Sequence, residues 1–201
     1  MMEKKSQLFS TLNLTLMAVL TAVACLLDLI PGIPIVGFYK LDFSLLPVLL
    51  GTFSIGPAGG TVILLLKCLI GWAHSTTMGV GKLADFIMGL AMILPAGLIY
   101  ARNKTRKTAI IGMTAGTVCM IVIGILANKY ILFPFYIGSM PYINSMEDIL
   151  HAIKLDVIDS EWKLLLLITG PFNLLKGIVL SVVTGVIYKP LSPLLHGKRR
   201  N

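Results

Sequence analysis

The chain has 201 residues, 56% of them hydrophobic and 13% charged, with a mean hydropathy of +0.89. A soluble domain of this length has no use for so much apolar surface; one polytopic membrane domain, 1–201, does. Lys and Arg exceed Asp and Glu by 17 − 9 = 8. In a soluble protein that excess would suggest nucleic acid, but its placement along this chain points to a membrane surface instead.

The bilayer core is about 30 Å thick and a helix rises about 1.5 Å per residue, so runs of about 20 apolar residues mark spans. The first predicted span is 8–27. Glu3-Lys4-Lys5 precedes it, and Ala22-Val23-Ala24-Cys25 loosely resembles a processing site. The apolar run is longer than a signal h-region and more spans follow, so a retained helix is expected. Ala18 and Ala22 put two small residues on one face of it. Such a face suits either packing inside the bundle or docking on another membrane protein.

Asp28–Leu41, with Pro31-Gly32-Ile33-Pro34 and Gly37, reads as a shaped connection rather than a floppy one. The next segment, 42–55, is apolar but short, and is read as a second span. The third, 57–73, carries Lys67 within its apolar run. His74–Lys82 is a second loop, and 83–101 a fourth span with Asp85 near its start. The fifth, 108–132, carries Gly112 and Gly116 on one face and ends with Asn128-Lys129-Tyr130. Phe133–Lys163 is too long for a plain connection. Within it Ser145-Met-Glu-Asp148 reads as a helix start, and Met146, Ile149, Leu150, Ile153 and Val157 recur at helical spacing. A short amphipathic helix is expected there, capping the bundle or lying in the interface. The sixth span is 164–188, with Asn173 and Lys176 three apart and therefore on one face.

The expected fold is all-α: six transmembrane helices with both termini cytoplasmic. In that arrangement the inner segments hold Lys4, Lys5, Arg102, Lys104, Arg106, Lys107, Lys189, Lys198, Arg199 and Arg200, ten of the 17 basic residues. Outer segments and helix ends hold Lys40, Lys82, Lys129, Lys154 and Lys163. Every acidic residue except Glu3 falls on the outer half. This asymmetry follows the positive-inside rule and closes only if 42–55 counts as a span. The basic excess then faces an anionic leaflet rather than nucleic acid.

Several chemistries find no motif. Gly79-Val-Gly-Lys82 lacks the earlier Gly of a phosphate loop, and Leu83 stands where Ser or Thr belongs. No zinc helix or nucleophile elbow is present, and His74, His151 and His196 lie far apart. Cys25, Cys68 and Cys119 sit in apolar runs, as small buried hydrophobes do. No metal site, no cofactor and no enzymatic activity are expected.

What stands out is polar. A cation at mid-bilayer costs about 2.5–3.5 kcal/mol on insertion scales, so Lys67 and Lys176 need partners. Asn173 offers donor and acceptor and Lys176 donors only, a pair suited to an amide-like or anionic guest, or to a polar bridge between helices. Asn128, Asp42 and Asp85 are further candidates, either carboxylate being equally able to neutralise Lys40, Lys67 or Lys82. Phe38, Tyr39, Phe43, Trp72, Phe133, Phe135, Tyr136 and Tyr142 fit an aromatic belt or stacking walls for a planar ring.

These residues carry a resemblance. Leu41-Asp-Phe-Ser-Leu-Leu-Pro47, Ile55-Gly-Pro57 with Gly60 and Leu65-Leu-Lys67, Gly81-Lys-Leu-Ala-Asp-Phe-Ile-Met-Gly89, Asn128-Lys-Tyr130 with Pro134-Phe-Tyr136, and Gly170-Pro-Phe-Asn-Leu-Leu-Lys176 span most of the chain. Their order and spacing resemble the substrate-binding S components of energy-coupling-factor vitamin transporters, most closely the riboflavin-specific type. The resemblance implies a six-helix bundle in the bacterial plasma membrane that captures riboflavin from outside, with a transmembrane coupling protein and two cytoplasmic ATPases as partners. It implies docking through Ala18 and Ala22, a lid at Asp28–Leu41, ring contacts from Asn128, Asn173 and Lys176, and lining from Tyr39, Leu41 and Asp42, with Asp85 nearby. Rival readings are an S component for another vitamin, a stand-alone facilitator, and an intramembrane enzyme using Asp42, Asp85 and Lys67.

Overall fold

The computed structural model describes residues 9–37, 39–75, 79–139, 143–153 and 157–195, without the side chains of 152 and 189–195. Lys4, Lys5, Phe38, Tyr142, Lys154, Lys198, Arg199 and Arg200 lie outside the described residues.

Helix α1 (Thr11–Leu29) starts where the Ser10 hydroxyl accepts the Asn13 N–H at 3.3 Å. It turns Met17, Leu20, Thr21 and Ala24 inward and leaves Leu12, Val19, Val23 and Leu26 exposed. A hairpin follows: β1 (Ile33–Val36) pairs antiparallel with β2 (Tyr39–Leu41), Ile33 opposite Leu41 and Val36 opposite Tyr39. Gly37, at φ 53°, takes the left-handed conformation its turn needs. The Pro- and Gly-rich connection is thus a small two-stranded sheet within an otherwise helical fold.

Helix α2 (Leu45–Ser54) begins three residues later than expected. The delay has a cause, because one Asp42 carboxylate oxygen accepts both the Ser44 N–H at 3.0 Å and the Ser44 hydroxyl, holding Asp42 ahead of the helix. Gly56, at φ 115°, breaks the chain between α2 and α3 (Pro57–Trp72), and Pro57 opens α3. A Cβ on Gly60 would overlap the Thr52 hydroxyl, so the two helices cross with backbones close together.

Helix α4 (Val80–Arg102) packs along α5 (Arg106–Ala127). A Cβ on Gly112 would lie 2.7 Å from the Ala96 carbonyl, and one on Gly116 would meet that of Met92. That small-residue face serves packing within the bundle. Helix α5 runs through a π-helical turn, Asn128–Leu132, into α6 (Phe133–Ser139). Helix α7 (Met146–Ile153) is the expected amphipathic piece, burying Ile149 and Ile153. Val157 lies beyond its end and is 72% exposed, against the helical spacing read from sequence. Helix α8 (Glu161–Leu164) passes through a second π-helical turn, Leu165–Thr169, into α9 (Gly170–Leu195).

Among the described residues four helical stretches are long and apolar enough to cross a membrane: Thr11–Leu29, Val80–Arg102, Arg106–Ser139 and Glu161–Tyr188. Leu45–Ser54 and Pro57–Trp72 are shorter apolar helices. Large apolar side chains along the long helices face outward, as lipid solvent requires. Away from the hairpin, Phe53, Tyr100 and Tyr188 close the bundle with ring centroids 4.8–6.4 Å apart.

Candidate functional site

Two π-helical turns meet beneath the hairpin. Asn128 opens one and Thr169 ends the other. Tyr39, from β2, reaches between them. Its hydroxyl lies 2.6 Å from the Thr169 hydroxyl and donates to the Asn128 side-chain oxygen at 3.5 Å. Its ring lies 5.1 Å from that of Phe172. A π-turn rotates the following side chains relative to an α-helix, and such turns are frequent at functional sites. Burial pushes the Tyr39 phenol above its ordinary range, although the Thr169 hydrogen bond pulls the other way, so it stays protonated at physiological pH.

Gly124 ties in the next residue. Its carbonyl accepts the Asn128 amide at 2.7 Å, and a Cβ on it would overlap the Asn173 amide nitrogen. Asn173 is only 4% exposed, and no described residue hydrogen-bonds its side chain. One turn further, the Lys176 ammonium donates to the free Asp42 oxygen at 2.8 Å and stands 4.0 Å from Asp85. A cavity of about 10 Å³, room for about one water, is lined by Asp42, Leu45, Lys67, Asp85, Met88, Gly89, Met120 and Lys176. Lys67, 1% exposed, donates to Asp85 at 3.2 Å.

The structure thus brings together Tyr39, Asn128 and Asn173, and beside them Asp42, Lys176 and Asp85. Leu41 is buried in β2, two residues from Tyr39. Both buried lysines have carboxylate partners, so of the two expectations for Lys176 the polar bridge between segments is present. Ala18 and Ala22 are exposed on α1, against packing inside the bundle. Of the outer aromatics, Tyr39 and Phe133 are buried, whereas Trp72 and Phe135 are exposed. Sequence reasoning missed Thr169, Phe172, Gly124 and Asp28. The polar spacing 169, 173, 176 was a usable signal for Thr169; nothing local marked Gly124. No group of three or more His, Cys, Asp or Glu that could hold a metal ion exists among the described residues.

Comparison with known proteins supplies the family. Residues 12–188 match the model for the ECF transporter, substrate-specific component. The chain belongs to that family. It is 31% identical to "Riboflavin transporter RibU" of Staphylococcus aureus, over 91% of this chain and 92% of that one. It is 32% identical to "Riboflavin transporter RibU" of Streptococcus thermophilus, over 92% and 85%. It is 28% identical to "Riboflavin transporter FmnP" of Bacillus subtilis, over 93% and 95%. A solved chain, "Structure and mechanism of the S component of a bacterial ECF transporter", superposes with a TM-score of 0.70 at 32% identity, covering 92% of this chain and 97% of that one. An ECF substrate-specific component is a membrane protein built of helices, as this chain is.

Proposed function

We propose that the chain captures riboflavin from outside the cell and delivers it through an ATP-driven partner module. The observation that carries the ligand reading is the Asn173 side chain, 4% exposed and one turn from the Lys176 ammonium, which has its carboxylate partner beside a cavity. The Asn173 side chain offers both a donor and an acceptor to the polar edge of a guest. The three riboflavin transporters that resemble the chain over nine-tenths of its length support a flavin as that guest.

Asn128, Asn173 and Lys176 read the carbonyl and ring-nitrogen edge of the isoalloxazine. Tyr39, Leu41, Asp42 and Asp85 line the remainder. The cavity beside Lys176 is far below the roughly 300–1,000 Å³ of small-molecule pockets, so binding requires its walls to part. The Asp42–Lys176 pair is the natural contact to yield, because a ring carbonyl can take the ammonium in place of the carboxylate. The whole chain acts as one membrane domain with six spans, the two short helices included, and both termini in the cytoplasm of a bacterial cell. Exposed Arg102, Lys104, Arg106 and Lys107 support that orientation. Ala18 and Ala22 dock on the transmembrane coupling protein, to which two ATPases attach. The chain itself catalyses no reaction.

Titration of the purified protein with riboflavin tests the reading. Flavin fluorescence should be quenched at sub-micromolar ligand. A folded sample that quenches nothing, or that binds an unrelated vitamin equally, overturns it.

A further inference from the structure

Six charges form one continuous ladder through the bundle. Lys176 lies 2.8 Å from Asp42 and 4.0 Å from Asp85. Asp85 lies 3.2 Å from Lys67 and 3.9 Å from Lys82. Asp28 lies 3.8 Å from Lys67 and 2.6 Å from Lys82. Three carboxylates match three ammoniums. They join α1 through Asp28, the start of α2 through Asp42, α3 through Lys67, α4 through Lys82 and Asp85, and α9 through Lys176. Gly71 on α3 makes room for the far end, since a Cβ there would lie 2.8 Å from an Asp28 oxygen and 3.0 Å from the Lys82 stem.

Stability alone is a poor reason for such a ladder. Buried ion pairs replaced by apolar residues of similar volume are often neutral or stabilising. What the ladder does is divide Asp85 among three lysines and Asp28 between two, while Asp42 pairs with Lys176. Asp85 is shared among Lys67, Lys82 and Lys176, and the share taken by Lys67 depends on how firmly Asp28 holds Lys67. Only the Asp42–Lys176 end, with Asp85 and Lys67, borders the cavity. Asp28 and Lys82 do not border it.

We propose that Asp28, Lys82 and Lys67 are positioning residues that set the place of the Lys176 ammonium, so that the C-terminal end of α1 tunes ligand affinity from outside the site. The proposal rests on the riboflavin reading only for its affinity readout. Without Asp28, Lys67 draws Asp85 toward itself, and the ammonium of Lys176 follows Asp42 alone.

The test is a double-mutant cycle on the full chain, with D28N in wild-type and K176M backgrounds, read both as riboflavin affinity and as the melting temperature without flavin. D28N should weaken binding on the order of tenfold in the wild-type background and less than about twofold beside K176M. The flavin-free melting temperatures should also be non-additive. D28N/K82M, which removes one charge of each sign and leaves four matched, should reproduce the loss if D28N alone folds poorly. Additive effects on melting overturn the tie, and so does an unchanged or additive effect on affinity. A wild-type chain that quenches no flavin, with melting still non-additive, keeps the tie and rejects riboflavin.

Discussion

Lys176 combines two properties that rarely meet in a bundle: it is 9% exposed, and its counter-charge comes from a residue 134 positions away, outside any helix. Asp42 can serve because its other oxygen is committed to the start of α2, which fixes the carboxylate. Asn173 is held differently, by the missing side chain of Gly124. If riboflavin is the ligand, K176A removes one charge-assisted contact and should weaken binding by roughly 1–3 kcal/mol. Isothermal titration of the variant measures it directly, and an unchanged constant would take Lys176 out of the site.

Among the elements, the π-turns do what a regular helix could not. Each brings one polar side chain, Asn128 or Thr169, to the Tyr39 hydroxyl while its helix continues onward. Helix α7 shows a simpler logic. Asp148 accepts the Asn144 and Ser145 N–H groups at 2.8 and 3.0 Å, and the Ser145 hydroxyl accepts the Asp148 N–H at 3.3 Å. The Asn144 N–H, first among these, holds the Asp148 carboxyl below its ordinary range. A lowered folded value means the cap is fully formed above the ordinary Asp value of about 4 and is lost as pH falls through the folded value. Amide shifts of Asn144 and Ser145 followed by NMR should therefore hold steady to about pH 4 and move only below it.

At the scale of the molecule, the proposed ligand site and the proposed docking face lie apart. Tyr39, Asn128, Asn173 and Lys176 gather under the hairpin, whereas Ala18 and Ala22 stand exposed on the outward face of α1. Small side chains on an exposed membrane helix leave room for a partner backbone to approach. Replacing both with Arg should leave riboflavin affinity of the isolated chain unchanged and abolish ATP-driven uptake in cells carrying the partner module. Uptake at the wild-type rate would move the docking surface elsewhere.

The apolar runs and their lengths are properties of local sequence, because a bilayer demands about 20 apolar residues per crossing whatever the neighbours are. So the helices, the loop positions and the buried Asn173–Lys176 face were legible from the chain alone, and the five quoted stretches were enough to suggest the family. The hairpin within 28–41 and the late start of α2 were not, because each depends on local hydrogen bonding that hydropathy does not register. Lys67 and Lys176 announced that they needed partners, but which carboxylate went to which lysine depended on how α1, α3, α4 and α9 cross. Coulomb attraction in a low-dielectric interior acts over a few ångströms of space, blind to distance along the chain. Only the packed bundle could therefore assign Asp42 to Lys176 and Asp85 to Lys67.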